Sequence, residues 1–188
     1  MASTTHPQAF HFTRPAESYW EASADPLGLE TAPLTSEESC DIAIIGAGYT
    51  GLSAALELAE NGVDARVIEA GHVGWGASGR NGGFACIGSH KLPYAKMIGT
   101  YGLDATKAYY AAMRQSVALV RDTLSRFAID AWASGEGEVT LAHLPSRVQD
   151  LHDEQDFMAR TFGEKTEFLP KAELIARVPT VRSTSGFP

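Results

Sequence analysis

The stretch Asp41-Ile-Ala-Ile-Ile-Gly46-Ala-Gly48-Tyr-Thr-Gly51 decides the fold. Ile42 to Ile45 is a short apolar, β-branched run, as expected of a parallel strand buried on both faces. Gly46, Gly48 and Gly51 follow it in G-x-G-x-x-G spacing. The first glycine permits a tight turn out of the strand. The second has no Cβ, so a diphosphate can approach the backbone. The third lets helix and strand pack closely. Leu52, Ala55, Leu56, Leu58 and Ala59 then form an apolar helical face, which Asn61-Gly62 is placed to end with a left-handed cap. A second strand, Ala65 to Glu69, closes on a carboxylate eighteen residues after Gly51.

A carboxylate at that point can accept hydrogen bonds from both hydroxyls of an adenosine ribose, and it would repel a 2′-phosphate, which disfavours NADP. The helix start after Gly48 offers unpaired N–H groups and a positive dipole end to a diphosphate. Strand, glycines, helix, second strand and Glu69 agree on a dinucleotide-binding α/β unit.

Gly71 to Gly83 holds six glycines in thirteen residues, a composition that opposes regular helix or strand. Its backbone N–H groups could line an anion nest. Ser78 adds a hydroxyl, Arg80 a fixed cation and Asn81 an amide. Its place directly after Glu69 points this loop at the same ligand.

The runs Asp41 to Ala55, Val67 to Ala70 and Gly74 to Gly83 together resemble the D-amino-acid-oxidase superfamily of FAD-dependent oxidoreductases. Within it they are most similar to the gamma-glutamylputrescine oxidase-like amine oxidases, which also carry an N-terminal aromatic pair like Tyr19-Trp20. The resemblance implies FAD rather than NAD. It implies that Gly46, Gly48, Thr50 and Gly51 surround the diphosphate and that Glu69 holds the adenosine ribose. It further implies that Ala77, Ser78, Arg80, Asn81 and Gly82 lie along the diphosphate and the flavin ring. Beyond the resemblance, Arg80 and Asn81 are expected to tune the flavin electrostatically. Phe84 departs from the pattern, since relatives often carry a polar residue there. The implied reaction is oxidation of an amine or amino acid by hydride transfer to flavin N5, with oxygen reoxidising the flavin to give hydrogen peroxide. Two rivals stand beside it: a sarcosine- or glycine-oxidase-like enzyme, and a non-catalytic flavin- or nucleotide-binding subunit that needs a partner chain. No catalytic residue is assigned.

The implied fold is α/β: a Rossmann-type (GR2-like) FAD-binding domain, incomplete, followed by the start of an α+β substrate domain. The expected divisions are an arm over 1–39, the FAD-binding portion over 40–100, and a helical segment opening the substrate domain over 101–188. Only two parallel strands are convincing, so the chain reads as an N-terminal portion of a longer enzyme, with the rest of that chain or a partner subunit expected beside it. The arm reads as irregular, with Tyr19 and Trp20 anchoring it on the folded body.

Further along, Asp104 is placed to cap a helix from Leu103 to Ile129, with Met113, Val117, Val120, Leu124 and Phe127 as its apolar stripe. Glu138 to His143 reads as a strand. Ser146 to Gln149 reads as a capping box opening a helix to Phe162. Thr166 to Leu169 reads as a short strand, and Lys171 to Arg177 as a helix stopped by Pro179.

A net charge of -8 argues against a nucleic-acid partner. No apolar run reaches the length of a membrane span, and Met1 to Trp20 lacks the core of a secretory signal. Cys40 and Cys86 have no metal-ligand spacing, so no metal is expected, and a reduced cytoplasm is the expected location. His6, His11, His72, His90, His143 and His152 are scattered, none beside a nucleophile with a supporting acid. The expected partner is a small-molecule amine.

Overall fold

The computed structural model describes residues 18–24, 28, 31–87, 91–135 and 137–177. The expectations for His6, His11, His90 and Pro179 lie outside them. The chain divides into two compact units, Met1–Phe84 and Ala85–Pro188.

In the first unit, α1 (Tyr19–Ser23) precedes β1 (Ile42–Ile45), α2 (Tyr49–Glu60) and β2 (Ala65–Ile68). The two strands pair in parallel, with Ile42 opposite Ala65 and Ile45 opposite Ile68. A parallel pair needs a crossover, and α2 supplies it, packing on both strands. Asn61 closes α2: its Nδ2 donates to Glu57 O at 2.8 Å, and Gly62 follows at φ +72°. The sheet has two strands among the described residues.

The expected burial of β1 on both faces is not what these residues show. Ala47 is the one buried hydrophobic residue described in this unit, while Ile42 is 40% and Ile45 80% exposed. One crossover helix packs on the two strands, and among the described residues neither strand has a second strand beside it. The arm is also less irregular than expected. Ser18 accepts from Glu21 N at 3.1 Å and starts the single turn of α1.

The second unit is helical among its described residues: α3 (Tyr94–Tyr101), α4 (Leu103–Arg126), α5 (Val148–Phe162) and α6 (Lys171–Arg177). Its core lies where α3, α4 and α5 meet. Met97, Thr106 and Tyr110 are buried there. Tyr110 stacks on Phe162 at 4.3 Å, and Tyr94 meets both rings edge-on. Such ring pairs are each worth about 0.5–1.5 kcal/mol beyond area burial. The Tyr110 hydroxyl donates to Glu164 at 2.8 Å, and Arg114 pairs with the same carboxylate.

Four expectations need correction here. Gly102, not Asp104, is the N-cap of α4, because α3 turns directly into α4 at that residue. Asp104 sits in the first turn, where its charge faces the helix dipole. Of the expected stripe, Val120 and Phe127 remain 48% and 45% exposed, and the helix stops at Arg126. Ser146 does not cap α5. Pro145 opens a 3₁₀ turn over Pro145–Arg147, which places Ser146 inside the turn and Arg147 at the N-cap. Finally, Glu138 to His143 and Thr166 to Leu169 form no strand, since neither has a neighbouring strand to pair with, so the α+β pattern does not appear in the described residues.

Candidate functional site

The turn after β1 has the shape its glycines require. Gly46 sits at φ +101°, a conformation that L side chains rarely adopt, and its N–H donates to Ile68 O at 2.8 Å. A Cβ on Gly51 would lie 2.0 Å from Gly46 O and 3.2 Å from Ile44 Cγ2, so the helix could not approach the strand with any other residue there. Gly48 has a neighbour that spacing does not reveal. A Cβ on it would meet Ser78 Oγ at 2.8 Å.

Ser78 reaches this position because the glycine-rich loop folds back over the turn. Gly74 N donates to Ala47 O at 2.9 Å, and Ala77–Gly79 makes one 3₁₀ turn. Ser78 Oγ then accepts from Tyr49 N, the first N–H of α2, at 2.9 Å. With its lone pair engaged there, the hydroxyl keeps its own proton to offer to an anion at the helix start.

Glu69 stands at the end of β2. Its Oε2 accepts from Ala47 N at 2.7 Å and its Oε1 from Gly71 N at 2.9 Å. The Ala47 N–H, then the Gly71 N–H, hold this carboxyl below its ordinary pKa, with smaller help from Ala70 N–H and the nearby His72 and against a modest desolvation. The carboxylate is therefore ionised and fixed in direction, and each oxygen retains a further lone pair. That is the chemistry a ribose diol needs.

The remaining expected residues lie along the loop. Asn81 uses its side chain on the loop itself: Nδ2 donates to Ser78 O at 2.7 Å, and Oδ1 accepts from Gly83 N at 2.7 Å. Arg80 lies over the Trp75 ring at 4.6 Å, an interaction with no periodic signal in an irregular loop. Gly82 leaves room for the Phe84 ring, and Phe84 is 86% exposed. Thr50 is on the exposed side of the first turn of α2. Gly46, Gly74 and Gly76 each face open space within 4 Å of where a Cβ would stand. Glycine turn, helix start, Ser78 and Glu69 thus come together at the C-terminal edge of the two strands, and the open glycines leave space for a ligand's backbone approach. The residues present fit an adenine dinucleotide. One contributor escaped sequence reasoning, the Ala47 amide that holds Glu69, because every residue has a backbone N–H and no pattern singles this one out.

Outside this site, His152 lies against Phe168 with the rings tilted and their centres 4.2 Å apart. No group of three or more His, Cys, Asp or Glu among the described residues is arranged to hold a metal ion. No described helix is long and apolar enough to cross a membrane.

Comparison with known proteins gives the same reading. The chain is 31% identical over 177 residues to the gamma-glutamylputrescine oxidoreductase of Escherichia coli (strain K12), which covers 93% of this chain and 40% of that protein. It is 34% identical over 134 residues to the "Probable oxidoreductase OrdL" of Haemophilus influenzae, covering 70% of this chain and 30% of that one. The chain therefore spans well under half the length of these relatives. No solved structure matches it. The family described as FAD dependent oxidoreductase (DAO) matches residues 41–187. With the glycine turn, the ionised Glu69 and the loop folded over them, the chain belongs to this family of FAD-dependent oxidoreductases, and its cofactor is FAD.

Proposed function

We propose that Gly46, Gly48, Thr50, Gly51, Glu69, Ala77, Ser78, Arg80, Asn81 and Gly82 hold FAD, and that the complete protein uses it to oxidise an amine of the gamma-glutamylputrescine class. The observation that carries the binding reading is the Glu69 carboxylate, fixed by Ala47 N–H and Gly71 N–H beside the glycine turn. Glu69 accepts from the ribose hydroxyls, and its charge excludes a 2′-phosphate. The start of α2 and the Ser78 hydroxyl face the diphosphate. Arg80, backed by the Trp75 ring, keeps a cation on the loop close to the cofactor. FAD supplies the electron acceptor for a carbon–hydrogen bond beside nitrogen. The amine assignment is supported by the name of the Escherichia coli relative.

The test is anaerobic mixing of the complete, flavin-loaded protein with gamma-glutamylputrescine, sarcosine or glycine. Bleaching of the flavin by gamma-glutamylputrescine at the lowest concentration is expected. Bleaching by sarcosine or glycine alone would move the substrate class, and no bleaching by any of them would remove the amine-oxidase reading. Admission of oxygen afterwards, with peroxide measured, identifies the acceptor.

A further inference from the structure

α1 lies outside the β1-α2-β2 unit, yet it meets the glycine-rich loop near both of its ends. Trp20 Nε1 donates to Asn81 O at 2.8 Å across 61 residues of sequence. The same indole occupies the space beside Gly83. A Cβ there would stand 2.5 Å from Trp20 Cζ2, and Gly83 has φ +72°, so only glycine fits both the ring and the backbone. At the other end, Glu21 Oε1 lies 3.2 Å from His72 Nε2, and His72 Nδ1 faces Val73 O at 3.1 Å. Tyr19 braces Trp20 edge-on at 5.1 Å.

These contacts reach the binding groups through Asn81. Its backbone oxygen is held by Trp20, its Nδ2 holds Ser78 O, and its Oδ1 holds Gly83 N. Ser78 in turn meets Tyr49 N at the start of α2. We propose that Trp20 is a positioning residue for the cofactor loop: it clamps Asn81 and Gly83 and thereby keeps Ser78 over the diphosphate turn. This rests on the assignment of the loop to FAD made above. The arm is accordingly a working part of the site, although it stands some twenty residues ahead of the first strand.

The experiment uses the complete apoprotein as wild type, Trp20→Phe, Trp20→Ala and Glu69→Ala. Hydrogen exchange is read at Gly79, Arg80 and Gly83 amides, which are hydrogen-bonded within the loop, and FAD affinity is read by titration. Trp20→Ala should speed exchange at these amides while β1 and α2 stay as in wild type, and should weaken FAD by roughly 2- to 10-fold, the worth of a hydrogen bond. Trp20→Phe keeps the ring but loses the N–H, so it should fall between. Unchanged loop exchange in Trp20→Ala, with or without a change in affinity, overturns the proposal. If Trp20→Ala loosens β1 as well, Trp20→Phe decides: exchange raised at the loop amides alone supports the clamp, and unchanged exchange overturns it. Glu69→Ala separates the two readings. Undiminished FAD affinity in that variant sinks the site assignment itself, whereas a large loss there beside a silent Trp20→Ala sinks only the clamp.

Discussion

Each oxygen of the Glu69 carboxylate takes one backbone N–H, from Ala47 and from Gly71. Glu69→Ala removes a charged acceptor from the proposed ribose site. A hydrogen bond to a charged group is worth about 1.5–3 kcal/mol, so FAD affinity should fall roughly 10- to 150-fold, measured by titration of the apoprotein. The same two amides depress the Glu69 pKa. A carboxyl with a depressed folded-state pKa adds stability that is fully present above its unfolded value and is lost as pH falls through the folded value. Urea unfolding of wild type and Glu69→Gln should therefore differ most at neutral pH and converge in acid. A constant difference would show that the charge is not what the amides hold. Tyr110 has the opposite sign. Burial first, then its bond to Glu164, pushes its phenol up to about 12. Its contribution is full below the unfolded tyrosine range and lost as pH rises through about 12. Burial also pushes the Tyr94 phenol up, so an ultraviolet titration should show a late-ionising step that Tyr110→Phe reduces, leaving the part that belongs to Tyr94.

At the scale of the element, the β1-α2 turn and the loop over it differ in how much side chain they tolerate. Gly51→Ala would drive a Cβ to 2.0 Å from Gly46 O, a backbone atom that cannot move aside. A loss of about 1–3 kcal/mol or more is expected, read as a lower unfolding midpoint. Gly76, at φ -78° with nothing within 4 Å, should accept alanine without measurable loss. Equal behaviour of the two variants would contradict the packing described here. The turn is legible in the sequence because its reasons are local: strand, glycine spacing and helix follow one another within twenty residues, and each glycine has a steric cause. The Ser78–Tyr49 and Trp20–Asn81 bonds are 29 and 61 residues apart. They depend on where the loop lands after folding, and no spacing encodes that. The unformed strands at Glu138–His143 and Thr166–Leu169 show the converse. Local composition can suit a strand, but a strand exists only where another offers its N–H and C=O groups.

At the scale of the whole molecule, Ile42, Ile45 and Ile68 leave apolar surface in water on a sheet with two unpaired edges among the described residues. At about 25 cal/mol for each Å², a few hundred Å² of such surface weighs heavily against a net stability of about 5–15 kcal/mol. The 188 residues expressed alone should associate or unfold broadly in sedimentation and thermal scans. A monodisperse monomer with a sharp transition would contradict this. We propose above all that this chain grips the adenosine half of FAD through Glu69 and the glycine turn. The most direct measurement is titration of the complete apoprotein with FAD and with FMN, which lacks that half, in wild type and in Glu69→Ala. The expected result is a strong wild-type preference for FAD that shrinks in Glu69→Ala through loss of FAD affinity alone, with FMN affinity unchanged. Equal binding of FAD and FMN by the wild type, or a preference that survives the loss of Glu69, would contradict it.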